Sequence, residues 1–316
     1  MLKRQKMAIN ANYPGRIKSR QSTTRETALI PKRGSRFLFV LMILLQCVQS
    51  TAWQTKVPAI NERGRSEMSL VPAVRTKMGI DSAEVAGFER LFEMEVPELF
   101  TDLQPKHEVT LKGFYIDKSL VTNARFRRFT DANPAWSAER ISPALHNGHY
   151  LEGFERALAT KPQHPVVNVS WYSAVAYCQW TGKRLPTEAE FEHAARGGKN
   201  AIFPWGSAPA DRTHANYSAS KIGDTTPVGS YPANGYGLFD MSGNVWEFMA
   251  DEYVPYTATA QGTTARGDDG FASGDSFLSV KTRRAGAPIN LWVEYRDSHP
   301  PANAKPYVGF RCASDR

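Results

Sequence analysis

Two carboxylates, Asp240 and Glu247, stand seven residues apart in the run Asp-Met-Ser-Gly-Asn-Val-Trp-Glu, with Gly243 and Val245 between them. Calcium takes about six to eight hard oxygen ligands, mixing carboxylates with carbonyls. This spacing offers a side-chain oxygen at each end and backbone carbonyls in the middle. It suits equally a solvated turn that leads into a strand, so spacing alone leaves both readings open. The seven histidines are His107, His146, His149, His164, His193, His214 and His299. Only His146 and His149 stand close, three apart in a polar loop, where surface histidines are as reasonable as metal ligands. Ser279 as a nucleophile needs a base nearby. The one histidine downstream is His299, and no nucleophile-elbow pattern surrounds the serine, which argues against hydrolysis. Of the three cysteines, Cys47 lies in an apolar leader, leaving Cys178 and Cys312. In an oxidising compartment these two pair if the fold brings them together; otherwise they are two buried thiols.

The elements that must position these groups are only partly periodic. Met68-Ser-Leu-Val-Pro-Ala-Val74 reads as a strand, and His107–Asp117 as strand segments with a turn at Lys112-Gly113. Thr122 is a helix N-cap, Phe126 and Phe129 share one face of that helix, and Pro134 marks its end. Residues 134–163 form a polar stretch. A second helix runs from about Ser170 to Trp180 and stops at Thr181-Gly182. Thr187 and Glu190 form a capping box for a third, which ends at Arg196-Gly197-Gly198. Beyond that the chain is rich in Gly, Pro, Asn and Trp, and residues 254–273 read as an exposed insertion. No internal repeat is present, and one domain is expected.

Composition is ordinary for a globular protein, with 41% hydrophobic and 22% charged residues. The net charge of +8 is local: residues 1–36 hold ten Lys/Arg and one acid, so the other 280 sum to −1. That balance argues against nucleic acid as a partner. Residues 37–45, FLFVLMILL, are too few to span a bilayer, which needs roughly 20. A basic region, a short apolar core and then Ser50-Thr51-Ala52 read as a secretory signal cut after Ala52. Gln46 before Cys47 is a poor lipidation context. The expected organisation is a leader and signal peptide or anchor over 1–52, a linker over 53–67 and a domain over 68–316. The expected location is exported, periplasmic or secreted, with membrane contact only if the N-terminal segment stays uncleaved.

Three blocks in order carry a resemblance: HPVVNVSWYSAVAYCQWTGKRLPTEAEFEHAARGG (164–198), YPANGYGLFDMSGNVWEF (231–248) and GFRCA (309–313). They resemble the sulfatase-modifying-factor family, whose founding activity is formylglycine generation. The likeness runs from about Met68 to Ala313. It implies an α+β, C-type-lectin-like fold of the formylglycine-generating-enzyme type with little regular structure. It implies a Cys178–Cys312 disulfide. It implies structural calcium at one or two sites: the Asp240 side chain, the Gly243 and Val245 carbonyls and the Glu247 side chain at one, and Asn216, the Tyr217 carbonyl, Asp224 and the Thr226 carbonyl at a second, shortened loop. It also implies a substrate groove holding Trp246, Ser276, Ser279, Arg284 and Arg296.

The family's chemistry uses two cysteines that bind copper, because soft thiolates suit Cu(I). At the matching positions this chain has Ser279 and Arg284. A hydroxyl is no substitute for that thiolate, and an always-protonated guanidinium binds no metal. Formylglycine generation is therefore not expected, and no redox metal is assigned. The iron-dependent sulfoxide synthases resemble this family but take their histidines from an additional helical domain, for which there is no room before Met68. Two readings remain. One is an accessory or oxidative maturation factor for a peptide, siderophore or enzyme, like the pyoverdine-maturation and nitrite-reductase accessory relatives. The other is a binding module using the groove for peptide, glycan or partner protein without catalysis.

Overall fold

The computed structural model describes residues 65–93, 97–253, 256, 270–273 and 289–316. Strands β1 (Met68–Val71) and β2 (Val74–Met78) pair antiparallel with β4 (Phe114–Asp117) and β3 (His107–Leu111) respectively. The registers Val71↔Phe114 and Val74↔Leu111 make one bent ribbon, broken at Pro72-Ala73 and Lys112-Gly113. Proline has no N–H for a ladder, so the expected single strand over 68–74 becomes two. Strand β9 (Ala313–Asp315) pairs with β4 and completes a three-stranded sheet in the order β1-β4-β9.

Helix α1 (Ser82–Phe92) was not legible from apolar spacing, yet its start is encoded. The Asp81 backbone N–H donates to the Glu84 carboxylate at 2.8 Å, one half of a capping box. Helix α2 (Asn123–Ala132) begins at Thr122, whose hydroxyl accepts from the Arg125 N–H, and ends before Pro134. Helix α3 (Phe154–Thr160) interrupts the stretch expected to be merely polar; it buries Phe154 edge-on to Phe126. Helix α4 (Trp171–Trp180) is capped by Ser170. Helix α5 (Glu188–Ala195) has both halves of its box: Thr187 Oγ1 accepts from Glu190 N at 3.2 Å, and Thr187 N donates to Glu190 Oε2 at 2.8 Å.

The third sheet has the order β7-β6-β5-β8, from β5 (Trp246–Glu252), β6 (Gly270–Ser273), β7 (Arg296–His299) and β8 (Val308–Gly309). Only the β5–β8 pairing is parallel. This corrects the exposed insertion expected over 254–273. Its end, 270–273, is a strand paired on both edges, and Tyr256 within it is buried. Low side-chain bulk masked a strand that backbone pairing holds. The other residues of that stretch, together with Ser276, Ser279, Arg284 and the leader 1–52, lie outside the described residues.

Two apolar cores lie on either side of β5. Successive strand residues point to opposite faces. Trp246 and Phe248 enter a core with Phe126, Phe129, Tyr177 and Phe310, while Met249 enters the other with Phe92, Phe100 and Trp292. The small sheets, short helices and long irregular connections make an α+β fold with little regular structure.

Candidate functional site

Cys178 on α4 and Cys312 beside β9 are joined by a disulfide, with Cα atoms 5.6 Å apart. Both are fully buried in the Phe126 core. The bridge ties the first sequence block to the last. Next to it, the Cys312 N–H donates to the Asp117 carboxylate, which also receives the Lys183 ammonium.

The four residues expected at the first calcium loop lie on one turn leading into β5. Asp240 and Asn244 adopt left-handed backbone (φ 54° and 69°), and Gly243 has φ 90°. A Cβ on Gly243 would stand 2.8 Å from the Asn216 carbonyl oxygen, so only glycine fits this approach. Asn244 staples the loop: its N–H donates to the Asn216 carbonyl at 2.7 Å, and its amide exchanges hydrogen bonds with both backbone groups of Thr226. The Glu247 side chain is 1% exposed and holds the fully buried Arg311 guanidinium through two bonds of 2.8 and 2.9 Å. Arg311 also donates to the carbonyls of Asp117, Phe239 and Asp240. Asp240 Oδ2 accepts from the Gly229 N–H at 2.7 Å, but Oδ1 is buried with no donor. Burial pushes both Asp240 and Glu247 above the usual carboxylate range. A buried carboxylate oxygen without a donor calls for a proton or a cation. Glu247 is already matched by Arg311 and the Gly243 carbonyl accepts from the Val245 N–H at 2.9 Å, so the fit of this loop to a hard cation rests on Asp240 Oδ1, an oxygen in need of one.

The second loop is arranged differently. Asn216 Oδ1 accepts from Ser220 Oγ, and its amide N–H donates to the Asp224 carbonyl. The Tyr217 carbonyl accepts from Ser220, and the Thr226 carbonyl from Asn244. One Asp224 oxygen takes the Thr225 N–H and the other pairs with the Lys161 ammonium. Burial works against ionisation of Asp224, yet Lys161 and the Thr225 N–H hold its carboxyl below the usual range. All four expected donors come together, but each is already engaged, and a lysine supplies the positive charge. As arranged, these residues do not fit a metal.

The groove residues that fall within the described chain are not turned outward. Trp246 is 7% exposed and packs against Tyr295 with centroids 5.9 Å apart. Arg296 is 6% exposed; its Nε lies 2.8 Å from Glu188 Oε1, and its guanidinium lies over the rings of Tyr253 and Tyr256 at 4.4 and 4.2 Å. The Tyr256 hydroxyl donates to the same Glu188. Burial raises Glu188 and pushes Asp251, which accepts from the Glu188 N–H, up to about 7. Sequence reasoning singled out Arg296, as a groove residue or an ion-pair partner, but not Glu188 and Tyr256, which hold it, and it missed Arg311. The one available signal for Arg311 was an arginine inside the otherwise apolar GFRCA block. Among the described residues, no group of three or more His, Cys, Asp or Glu side chains is placed to hold a metal ion.

The family profile described as the sulfatase-modifying factor enzyme 1-like domain matches residues 54–316. This chain belongs to that family. The formylglycine-generating enzyme of the mouse, Mus musculus, is 33% identical over 259 residues, 67% of this chain and 68% of that protein. A second mouse protein, inactive C-alpha-formylglycine-generating enzyme 2, is 32% identical across 90% of this chain and 95% of its own length. Among solved structures, PvdO from Pseudomonas aeruginosa is similar with a TM-score of 0.59 and 26% identity, covering 79% of this chain and 94% of PvdO. Treponema denticola variable protein 1 shares the fold at a TM-score of 0.57 and 23% identity, over 79% of this chain and 95% of its own. The fold is thus that of the sulfatase-modifying-factor family.

Proposed function

We propose that this chain is an exported accessory member of the sulfatase-modifying-factor family, acting in the maturation of a peptide, siderophore or enzyme without generating formylglycine. The observation that carries the reading is the Cys178–Cys312 bridge. Residues 54–316 contain only these two cysteines, and each is spent on the other. A redox site built on thiolates needs them free. Ser279 and Arg284, at the positions that resemble the family's copper-binding cysteines, supply no replacement. The likeness to the inactive mouse protein along most of both chains points the same way. The disulfide also supports export, since such bridges persist in oxidising compartments.

Calcium is proposed at the first loop alone, held by Asp240, the Gly243 and Val245 carbonyls and Glu247. There it would cross-link a turn that few repeating hydrogen bonds stabilise. At the second loop Lys161 takes the place of an ion.

One experiment tests the proposal against the family's founding activity. The full chain is incubated with oxygen, copper and a cysteine peptide that the mouse formylglycine-generating enzyme converts, and the peptide is followed by mass spectrometry. The expected result is unconverted peptide, together with calcium near one per chain by elemental analysis. Multiple turnover to formylglycine overturns the proposal.

A further inference from the structure

A cavity of about 650 Å³ is lined by none of the described loop or groove residues named above. Its walls come from β2 and the turn after it (Thr76, Lys77, Ile80), from Phe88 on α1, from the end of α5 (His193, Arg196), from the 198–202 connection and from Tyr236. The volume lies within the range of about 300–1,000 Å³ usual for small-molecule sites.

Its charge is uneven. Four permanent cations line it, Lys77, Lys106, Arg196 and Lys199, against two carboxylates, Glu84 and Glu294. Lys106 is paired with Glu84, and Arg196 with Glu294 and with Glu192 behind it. Lys77 and Lys199 are exposed and have no ion-pair partner among the described residues. Lys77 stands opposite Glu108 in the β2–β3 register, but that carboxylate is taken by Arg75. Burial pushes Glu192 up to about 8 and moves Glu294 in the same direction, against the Arg196 guanidinium that both face, while the Asp81 N–H and Lys106 hold Glu84 below its ordinary range. His193 is moved the other way by burial and by Arg196, which keeps it neutral.

One part of the wall is apolar and well packed. Ile80 and Ala201 are buried, and Ile202 packs on the same core. Phe88 stacks on Trp292 with centroids 4.4 Å apart. Gly79, at φ 75°, lets the turn pass where a Cβ would meet the Leu103 carbonyl oxygen at 2.5 Å. A lining that combines two exposed lysines without an ion-pair partner with an apolar wall section and aromatic rings matches a ligand with an anionic head and an apolar body. Recruiting exposed lysines with no partner breaks no existing ion pair, so the cost is the ordering of their side chains. We propose that this cavity binds a small organic anion, a phosphate or carboxylate attached to an aromatic or compact aliphatic body, with its head between Lys77 and Lys199 and its body against Phe88, Ile80, Ile202 and Tyr236. This rests on no part of the reading above and survives if the chain proves to generate formylglycine.

The test is calorimetric titration of the full chain with three probes: phenyl phosphate, inorganic phosphate and phenol. Phenyl phosphate is expected to bind saturably and at least tenfold more tightly than either of the others. Lys77→Gln with Lys199→Gln should weaken it at least tenfold while leaving the melting temperature unchanged, since both side chains are exposed. Raising the salt should weaken phenyl phosphate binding to the parent chain far more than to the double variant. Absence of saturable binding, equal affinity for phosphate and phenyl phosphate, or an undiminished affinity in the double variant would each overturn the proposal.

Discussion

The Cys178–Cys312 bridge spans 134 residues of sequence, nearly half the chain, and its loss has a calculable effect. In the chain-entropy picture, closing a loop of that length removes roughly 17 cal/mol/K from the unfolded chain, or about 5 kcal/mol at 25 °C. A whole domain is stable by roughly 5–15 kcal/mol, so opening this bridge removes a third or more of the total. The perturbation is Cys178→Ala with Cys312→Ala, compared with the parent chain in the presence and absence of a phosphine reductant. The assay is equilibrium unfolding in urea, read by tryptophan fluorescence. Reduced parent and double variant should lose stability by about 3–5 kcal/mol and by similar amounts, since both cysteines are fully buried and alanine leaves only a sulfur-sized gap. The slope of free energy against urea should rise on reduction, because the unlinked unfolded chain exposes more surface. A parent chain that titrates with two free thiols when folded under oxidising conditions, or whose urea midpoint ignores the reductant, refutes the reasoning. It would also remove the observation on which the proposed function stands.

Two further outcomes follow from buried charges. Glu247→Gln leaves the Arg311 guanidinium in the core without its anion and should cost about 3–5 kcal/mol by urea unfolding, most of it recovered in Glu247→Gln/Arg311→Met; equal losses in the single and double variants would show the pair carries no special weight. Burial places Asp251 at about 7, above its unfolded value, so the native state holds the extra proton between roughly pH 4 and 7 and stability falls as pH rises through that window. Asp251→Asn still accepts the Glu188 N–H but cannot ionise; it should match the parent near pH 4 and exceed it by on the order of 4 kcal/mol at pH 8, and parallel curves across that range would contradict the assignment.

What could be read from the sequence was local. Thr122, Ser170 and the Thr187–Glu190 box each satisfy orphan donors within three residues, and all three helices start where those residues stand. Asp81 and Glu84 carry the same kind of box, and α1 went unread only because its apolar residues did not suggest a stripe. Strand β6 had no comparable signal. Gly270-Phe-Ala-Ser is held by pairing to β5 and β7 rather than by its own propensity. That information lies in the partners, about twenty residues away on either side.

The candidate site divides along the same line. The first loop was picked out by its resemblance to the family, since its spacing alone suits a turn as well; the left-handed backbone at Asp240, Gly243 and Asn244 that shapes it emerges only in the structure. The cations facing those loops were not legible, because they arrive from far away in sequence. Lys161 reaches Asp224 across 63 residues, and Arg311 reaches Glu247 across 64. Similar carboxylate loops thus meet different fates. At one, a lysine lies against the shortened turn and meets its charge. At the other, Arg311 neutralises Glu247 from behind and leaves Asp240 Oδ1 with no donor. Whether an acidic loop binds an ion is therefore decided less by its own residues than by which distant side chain the fold delivers to it. That is why Asp224 and Asp240, alike in sequence terms, carry different expectations once the packing is known.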